Sequence, residues 1–261
     1  MTGIDLHTHT TFDHGAQTPE EMVKKALELK MDCLGLAVHA PGRPEDADWT
    51  ATPKGMARFL KEVRRLQKVY GPKIWILAGV EMDSFSTVSS DGFDYVIGSV
   101  HWLEFDGQLF PVDQSAEALR KVADRFTGGD LIAVAVRYFE LVSTVVRVTK
   151  ADIIGHFDLI TKFNENGALF DESDPRYRAA WQKAADRLLK TGKPFEINTG
   201  AISRGYRTLP YPSKEIRDYL HAHGAKLLIN SDAHRADDLM CKFELYESET
   251  DPEAYDFLQE L

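Results

Sequence analysis

Short apolar runs alternate with amphipathic stretches from one end of the chain to the other. That alternation predicts parallel strands joined by helical crossovers, an α/β fold. The runs begin near Ile4, Leu34, Ile74, Tyr95, Ile153, Phe195 and Leu227, which makes about seven strands. The first crossover opens at Thr18-Pro19-Glu20-Glu21, where a hydroxyl can cap, proline takes the first helical position, and Met22, Ala26 and Leu29 form an apolar stripe. A second helix opens near Thr52-Pro53, with Phe59, Leu60, Val63, Leu66 and Val69 at helical spacing. Ser115 to Phe126 and Leu131 to Val148 read as two successive helices broken by Gly128-Gly129. Asp174-Pro175 starts another, ending near Thr191-Gly192, and Pro212-Ser213 begins the last, ending at Gly224. Ser84 to Gly92 reads as a surface loop. With no long linker and no internal repeat, one domain over residues 1–261 is expected, its acidic end from about 244 read as a solvated helix or frayed terminus.

Polar side chains recur where the apolar runs stop. His7 and His9 end the first run, and the period of a strand points both the same way. His39 closes Cys33 to Val38, Glu81 closes Ile74 to Val80, His101 follows Val100, His156 follows Gly155, and Asp232 and His234 follow Ser231. One such histidine is ordinarily a surface or hydrogen-bonding residue; recurrence at one kind of place points to a metal centre. Imidazole and carboxylate are the ligands that zinc, manganese and iron prefer. His221 and His223 lie in a helical stretch and read as surface residues. A closed barrel explains the pattern better than an open doubly wound sheet, because it brings every strand's C-terminal end to one mouth.

Composition narrows the class. Among 261 residues, 43% are hydrophobic, ample for a core. A net charge of -10 and a pI near 5.4 disfavour nucleic acid as a partner. No apolar run approaches the roughly 18 residues that cross a bilayer, and the chain enters a strand at once without a signal-peptide pattern, so a cytoplasmic protein is expected. Cys33 and Cys241 read as reduced, structural thiols. Oligomeric state is not legible.

Taken together, the motifs resemble the polymerase and histidinol phosphatase (PHP) superfamily, with the closest likeness to its histidinol-phosphate phosphatases. The carrying segments are Asp-Leu-His-Thr-His-Thr from Asp5, Val-His-Ala-Pro from Val38, Gly-Val-Glu ending at Glu81, Gly-Ser-Val-His-Trp from Gly98, Ile-Gly-His-Phe-Asp from Ile154, Glu-Ile-Asn-Thr from Glu196 and Ser-Asp-Ala-His ending at His234. The resemblance implies a distorted (β/α)7 barrel with a trinuclear metal centre of Zn, Mn or Fe. It places His7, His9, Glu81 and Asp232 on one ion, with Glu81 bridging to a second held also by His101 and His156. His14, His39 and His234 would hold the third; His14, in a loop, comes from the family pattern alone. Three departures stand out. Val38 precedes His39 where the family usually has an acid, Lys162 stands where related phosphatases carry arginine, and the acidic end differs from the family's final helix and strand, which leaves barrel closure open.

The resemblance implies hydrolysis of L-histidinol phosphate to L-histidinol and phosphate in histidine biosynthesis, by in-line attack of a hydroxide bridging two ions, with Glu81, Asp232 and His234 acting through the metals. A nucleotide, sugar phosphate or phosphopeptide as substrate, or a non-catalytic metal-binding module, are the alternatives. Candidate phosphate contacts are Arg43, Lys162, Arg204, Arg207 and Arg235, each after a rim strand. Phe12, Trp49 and Trp102 are candidate walls for an imidazole-bearing substrate. Asp5 and Asp158 read as carboxylates that orient ligands.

Overall fold

Strand β1 (Ile4–Thr8) leads through helix α1 (Pro19–Glu28) to β2 (Cys33–Leu36), and α2 (Pro53–Tyr70) leads to β3 (Trp75–Asp83), in a computed structural model that describes residues 3–42 and 49–261. Next come β4 (Tyr95–Ser99), a hairpin of β5 (Trp102–Phe105) and β6 (Gln108–Pro111), and helices α3 (Ala116–Phe126), α4 (Leu131–Val142) and α5 (Val145–Thr149). Then β7 (Ile153–Ile154), α6 (Pro175–Leu189), β8 (Phe195–Asn198), α7 (Gly200–Ser203), α8 (Lys214–Ala222), β9 (Leu227–Asn230) and α9 (Phe243–Tyr246) follow.

The helix starts behave as their residues predict. Thr18 and Glu21 form a reciprocal capping box at α1, Thr52 accepts from the Gly55 amide, Ser115 from Ala118, and Asp174 from Arg176. One expected helix is two: the run Leu131 to Val148 breaks after Val142. There the hydroxyls of Ser143 and Thr144 bond back to the carbonyls of Glu140 (2.7 Å) and Leu141 (2.9 Å), competing with the helical amides for those oxygens. The hairpin β5–β6 is an element the periodicity reading does not include.

Seven strands, in the order β1-β2-β3-β4-β7-β8-β9, form one parallel sheet that curls into a nearly closed barrel. Between β9 and β1 side chains do much of the joining. The Leu6 amide donates to Asn230 Oδ1 at 2.7 Å, the Ser231 amide to Asp5 Oδ1 at 3.1 Å, and the His9 amide to the Ala233 carbonyl at 2.8 Å. Asp5 therefore serves the barrel seam, and burial pushes its carboxyl up to about 6 against the pull of the Ser231 hydroxyl and amide.

The barrel interior holds Ile4, Leu6, Leu77, Tyr95, Ile97 and Leu228. Tyr95 spans it, its hydroxyl donating to the Leu6 carbonyl, and a Cβ at Gly35 or Gly79 would collide with this side chain. Two strand glycines are thus the room that one tyrosine needs. The acidic end is not frayed: in a 3-10 segment, Pro252–Glu260, Ala254 and Leu258 are buried against the same interior cluster. Asp251 ties it to the start of β9, its amide donating to the Leu227 carbonyl and its carboxylate accepting from the Leu227 amide, both at 2.8 Å. The charges belong to one face of the segment and the apolar side chains to the other. Among the described residues, no helix is long and apolar enough to cross a membrane.

Candidate metal centre

At the C-terminal rim of the barrel, the parallel register brings the strand-end side chains together. Glu81, near the end of β3, is at the middle of the cluster and almost wholly buried. Its Oε2 lies 2.9 Å from His39 Nδ1, 3.1 Å from His7 Nε2 and 3.4 Å from His9 Nε2. Its Oε1 lies 2.8 Å from His156 Nε2 and 3.4 Å from His101 Nε2, and accepts from the Ser99 hydroxyl at 2.6 Å. Asp232 Oδ1 approaches His9 Nε2 at 3.4 Å and His7 Nε2 at 3.7 Å. The His9 ring stacks on His39 (4.2 Å between centroids) and on His234 (4.5 Å). His14, exposed in its loop, lies 4.3 Å from His234 and 5.0 Å from His39 by centroid. All nine positions named from the sequence lie in this one cluster.

The rings are held from behind by carboxylates. Glu196, fully buried in β8, takes His7 Nδ1 at 2.7 Å and the His156 amide at 2.8 Å, while Asn198 and Asn230 donate to its two oxygens. Asp13 takes His9 Nδ1 at 2.7 Å and the His39 amide at 3.0 Å. Asp83 takes the His101 amide at 2.6 Å. A carboxylate on one ring nitrogen fixes the tautomer and leaves the other nitrogen's lone pair facing inward. Burial opposes charge on His7 and His9, yet Glu196, Glu81 and Asp232 around the first and Asp13 beside the second raise both well above the ordinary histidine range. His101 goes the other way, pushed down to about 3 by burial, with Glu81 too weak to offset it. Burial also holds His234 well below its usual value. Its Nδ1 has both the Asp232 carbonyl (2.9 Å) and the Arg204 guanidinium (2.6 Å) in reach.

The donor set fits a divalent cation. Among the described residues, the buried His9 Nε2 and His234 Nε2 have no hydrogen-bond partner. Five groups of three donors among the described residues have their atoms within 4.8 Å of one another, including His7-His9-Asp232, His7-Glu81-His156, His39-Glu81-His101 and His9-His39-His234. The fifth, Asp13-His14-His39, adds a carboxylate.

Above the cluster opens a cleft of about 540 Å³, with Trp49, Trp102, Asp113, Lys162 and Arg204 on its walls. Trp49 packs edge-on against His39 (4.8 Å) and close to parallel with Trp102 (6.3 Å). Arg204 donates to Asp232 Oδ2 at 2.9 Å and to the Asp232 carbonyl at 3.1 Å. Lys162 Nζ donates to the carbonyl of Asp113 (2.9 Å) and to its carboxylate (3.2 Å).

A model of the PHP domain family matches residues 5–200. The chain belongs to the PHP domain family. A protein from Deinococcus radiodurans named probable histidinol-phosphatase is 28% identical over 254 residues, which cover 93% of this chain and 91% of its own. A solved structure from Listeria monocytogenes shares the fold, with a TM-score of 0.79 and 23% identity over 93% of this chain and 99% of its own. A histidinol phosphate phosphatase from Lactococcus lactis subsp. lactis, solved with Zn, L-histidinol and phosphate, has a TM-score of 0.66 and 19% identity over 99% and 93%.

In this PHP chain several expected contacts fall elsewhere. Arg207 does not line the cleft; it is buried, donating to the Thr161 hydroxyl and carbonyl with its guanidinium 5.0 Å from the Tyr211 ring centre. Arg235 is exposed and faces Asp237 and Asp238. Phe12 packs on Phe59 (5.6 Å) in the layer outside the barrel, not on the cleft. Asp158 orients no histidine; its Oδ2 accepts from the Ser213 amide at 2.9 Å, and burial raises it to about 6 with Arg207 pulling the other way. Arg43 lies outside the described residues. Glu196, Asp13 and Asp83 are absent from the site read from sequence, although Glu196 carries a signal: a carboxylate inside an apolar strand must be partnered.

Proposed function

We propose that this chain is a metal-dependent phosphomonoesterase that hydrolyses L-histidinol phosphate to L-histidinol and phosphate. The observation that carries the reading is a buried imidazole and carboxylate cluster opening into a cleft that has Lys162 and Arg204 among its described lining residues. The substrate is supported by the relatives: the Deinococcus radiodurans protein by its name, and the Lactococcus lactis structure by its Zn, L-histidinol and phosphate. His7, His9, Glu81 and Asp232 hold one ion in this reading, Glu81 with His101 and His156 a second, and His14, His39 and His234 a third. Zn, Mn and Fe suit such donors. Residues 1–261 form one PHP phosphatase domain.

Bound ions supply Lewis acidity and a water acidic enough to attack near neutral pH. The chain's own residues do the rest. Lys162 and Arg204 set positive charge where the phosphoryl group rests, despite the net charge of -10. Trp49 and Trp102 wall the cleft for the imidazole-bearing alcohol, Glu196 and Asp13 keep the His7 and His9 rings from turning, and Asp83 fixes the backbone at His101. Water adds to phosphorus, the P–O ester bond breaks, and the departing alkoxide takes a proton to leave as L-histidinol.

The test is phosphate release from L-histidinol phosphate, 5'-AMP, a sugar phosphate and phosphotyrosine by protein reconstituted with Zn, Mn or Fe. A large kcat/KM preference for L-histidinol phosphate is expected. A flat profile or a nucleotide preference overturns the substrate and keeps the phosphoesterase. Stoichiometric metal without release from any ester overturns the enzyme.

A further inference from the structure

Asp113 is out of place in a cleft that binds a phosphate dianion. It leaves the end of β6, and the hairpin returns it to the metal cluster: Trp102 pairs with Pro111, and the Val112 amide donates to the His101 carbonyl at 2.8 Å. Its carboxylate lines the cleft together with Arg204 and feels the charges of Lys162, His101 and His156. A carboxylate there repels the phosphoryl group, so a site built for phosphate alone would be better without it.

Holding Lys162 does not explain the carboxylate. The lysine makes its shorter contact, 2.9 Å, to the backbone carbonyl of the same residue, and that contact is independent of the side chain. The carboxylate contact is longer, 3.2 Å, and reaches Oδ2 only. Among the described residues Lys162 is the only hydrogen-bond partner of this carboxylate, whose side chain remains 30% exposed to the cleft. An acceptor with spare capacity therefore faces the space beside the phosphate position.

We propose that Asp113 is a specificity residue that receives the ammonium group of an amino-alcohol phosphate, so that the cleft selects esters carrying a cation next to the phosphate. This rests on the substrate reading above. L-Histidinol phosphate bears its amine on the carbon adjacent to the ester-bearing carbon, so anion and cation are a few ångströms apart. The wall with Lys162 and Arg204 meets the first, and Asp113 meets the second. The carboxylate attracts the right ester and repels one that lacks the amine.

The experiment compares kcat/KM for L-histidinol phosphate and for 3-(imidazol-4-yl)propyl phosphate, the same ester without the amine, in metal-reconstituted wild type, Asp113→Asn and Asp113→Glu. Wild type is expected to prefer the amine. In Asp113→Asn that preference should fall about tenfold, a modest value for a partly exposed charge pair. KM for the amine-free ester should also drop, because a repelling charge has gone. Asp113→Glu, which keeps the charge, should keep most of the preference. Parallel losses on both esters, or an undiminished preference in Asp113→Asn, overturn the assignment of Asp113 while the substrate stands. A wild type that ignores L-histidinol phosphate altogether overturns both.

Discussion

Glu196 is fully buried in a strand and stays ionised because His7 Nδ1, the His156 amide and two asparagine amides surround it. Burial alone would raise its carboxyl; His7 and its hydrogen bond bring it below the ordinary value. Glu196→Gln keeps the volume but loses the charge that orients the His7 ring. It should weaken metal affinity about 10- to 100-fold, read by competition with a chromophoric chelator; unchanged affinity would deny the orienting role. Arg204 and Arg207 differ in what their guanidinium groups hold. Arg204→Ala removes a cation from the cleft wall and should mainly raise KM. Arg207→Ala removes a buried guanidinium that bonds Thr161 and packs on Tyr211, and should lower stability by about 1–3 kcal/mol, read by denaturant unfolding. Equal KM increases in the two variants would return Arg207 to the site.

The elements show what a run of residues can reveal. Strand-end histidines are legible because an apolar run that stops at a polar side chain marks both an element boundary and a direction. The hairpin β5–β6 also has its sign, since Asp106-Gly107, both at positive φ (49° and 74°), is the pair such a turn demands. Arg204 and Arg207 could not be told apart, because a short helix followed by a turn has no period from which to read orientation. Asp13 lies in a loop, where nothing local sets a direction. The final segment was obscured by composition: Ala254 and Leu258 face the barrel interior between acidic neighbours that face away. Leu258→Ala should cost about 2–4 kcal/mol in urea unfolding. Metal content and kcat/KM measured well below the transition should persist, since the segment packs at the strand starts and the cluster is at their ends. A variant of full stability would remove the segment from the core.

A protein of net charge -10 gathers seven of its nine histidines at one rim of a barrel whose other end its own C-terminal segment covers. That division makes metal binding and protonation competitors for the same lone pairs. In the metal-free cluster, Glu196, Glu81, Asp232 and Asp13 raise the proton affinity of His7 and His9 well above that of a free histidine. An incoming cation takes over the charge compensation those protons provide, so they must leave. Raised histidines stay protonated further up the pH scale, so metal binding weakens as pH falls below their range. Titrating Zn into chelator-stripped protein, in calorimetry with buffers of different ionisation enthalpy at neutral pH, should show net proton release, with apparent affinity declining as pH falls. Exhaustive chelation should abolish phosphate release, and added Zn, Mn or Fe should restore it. Metal uptake without proton release would mean that the imidazoles enter the complex already neutral, and that the carboxylates behind them orient the rings without charging them.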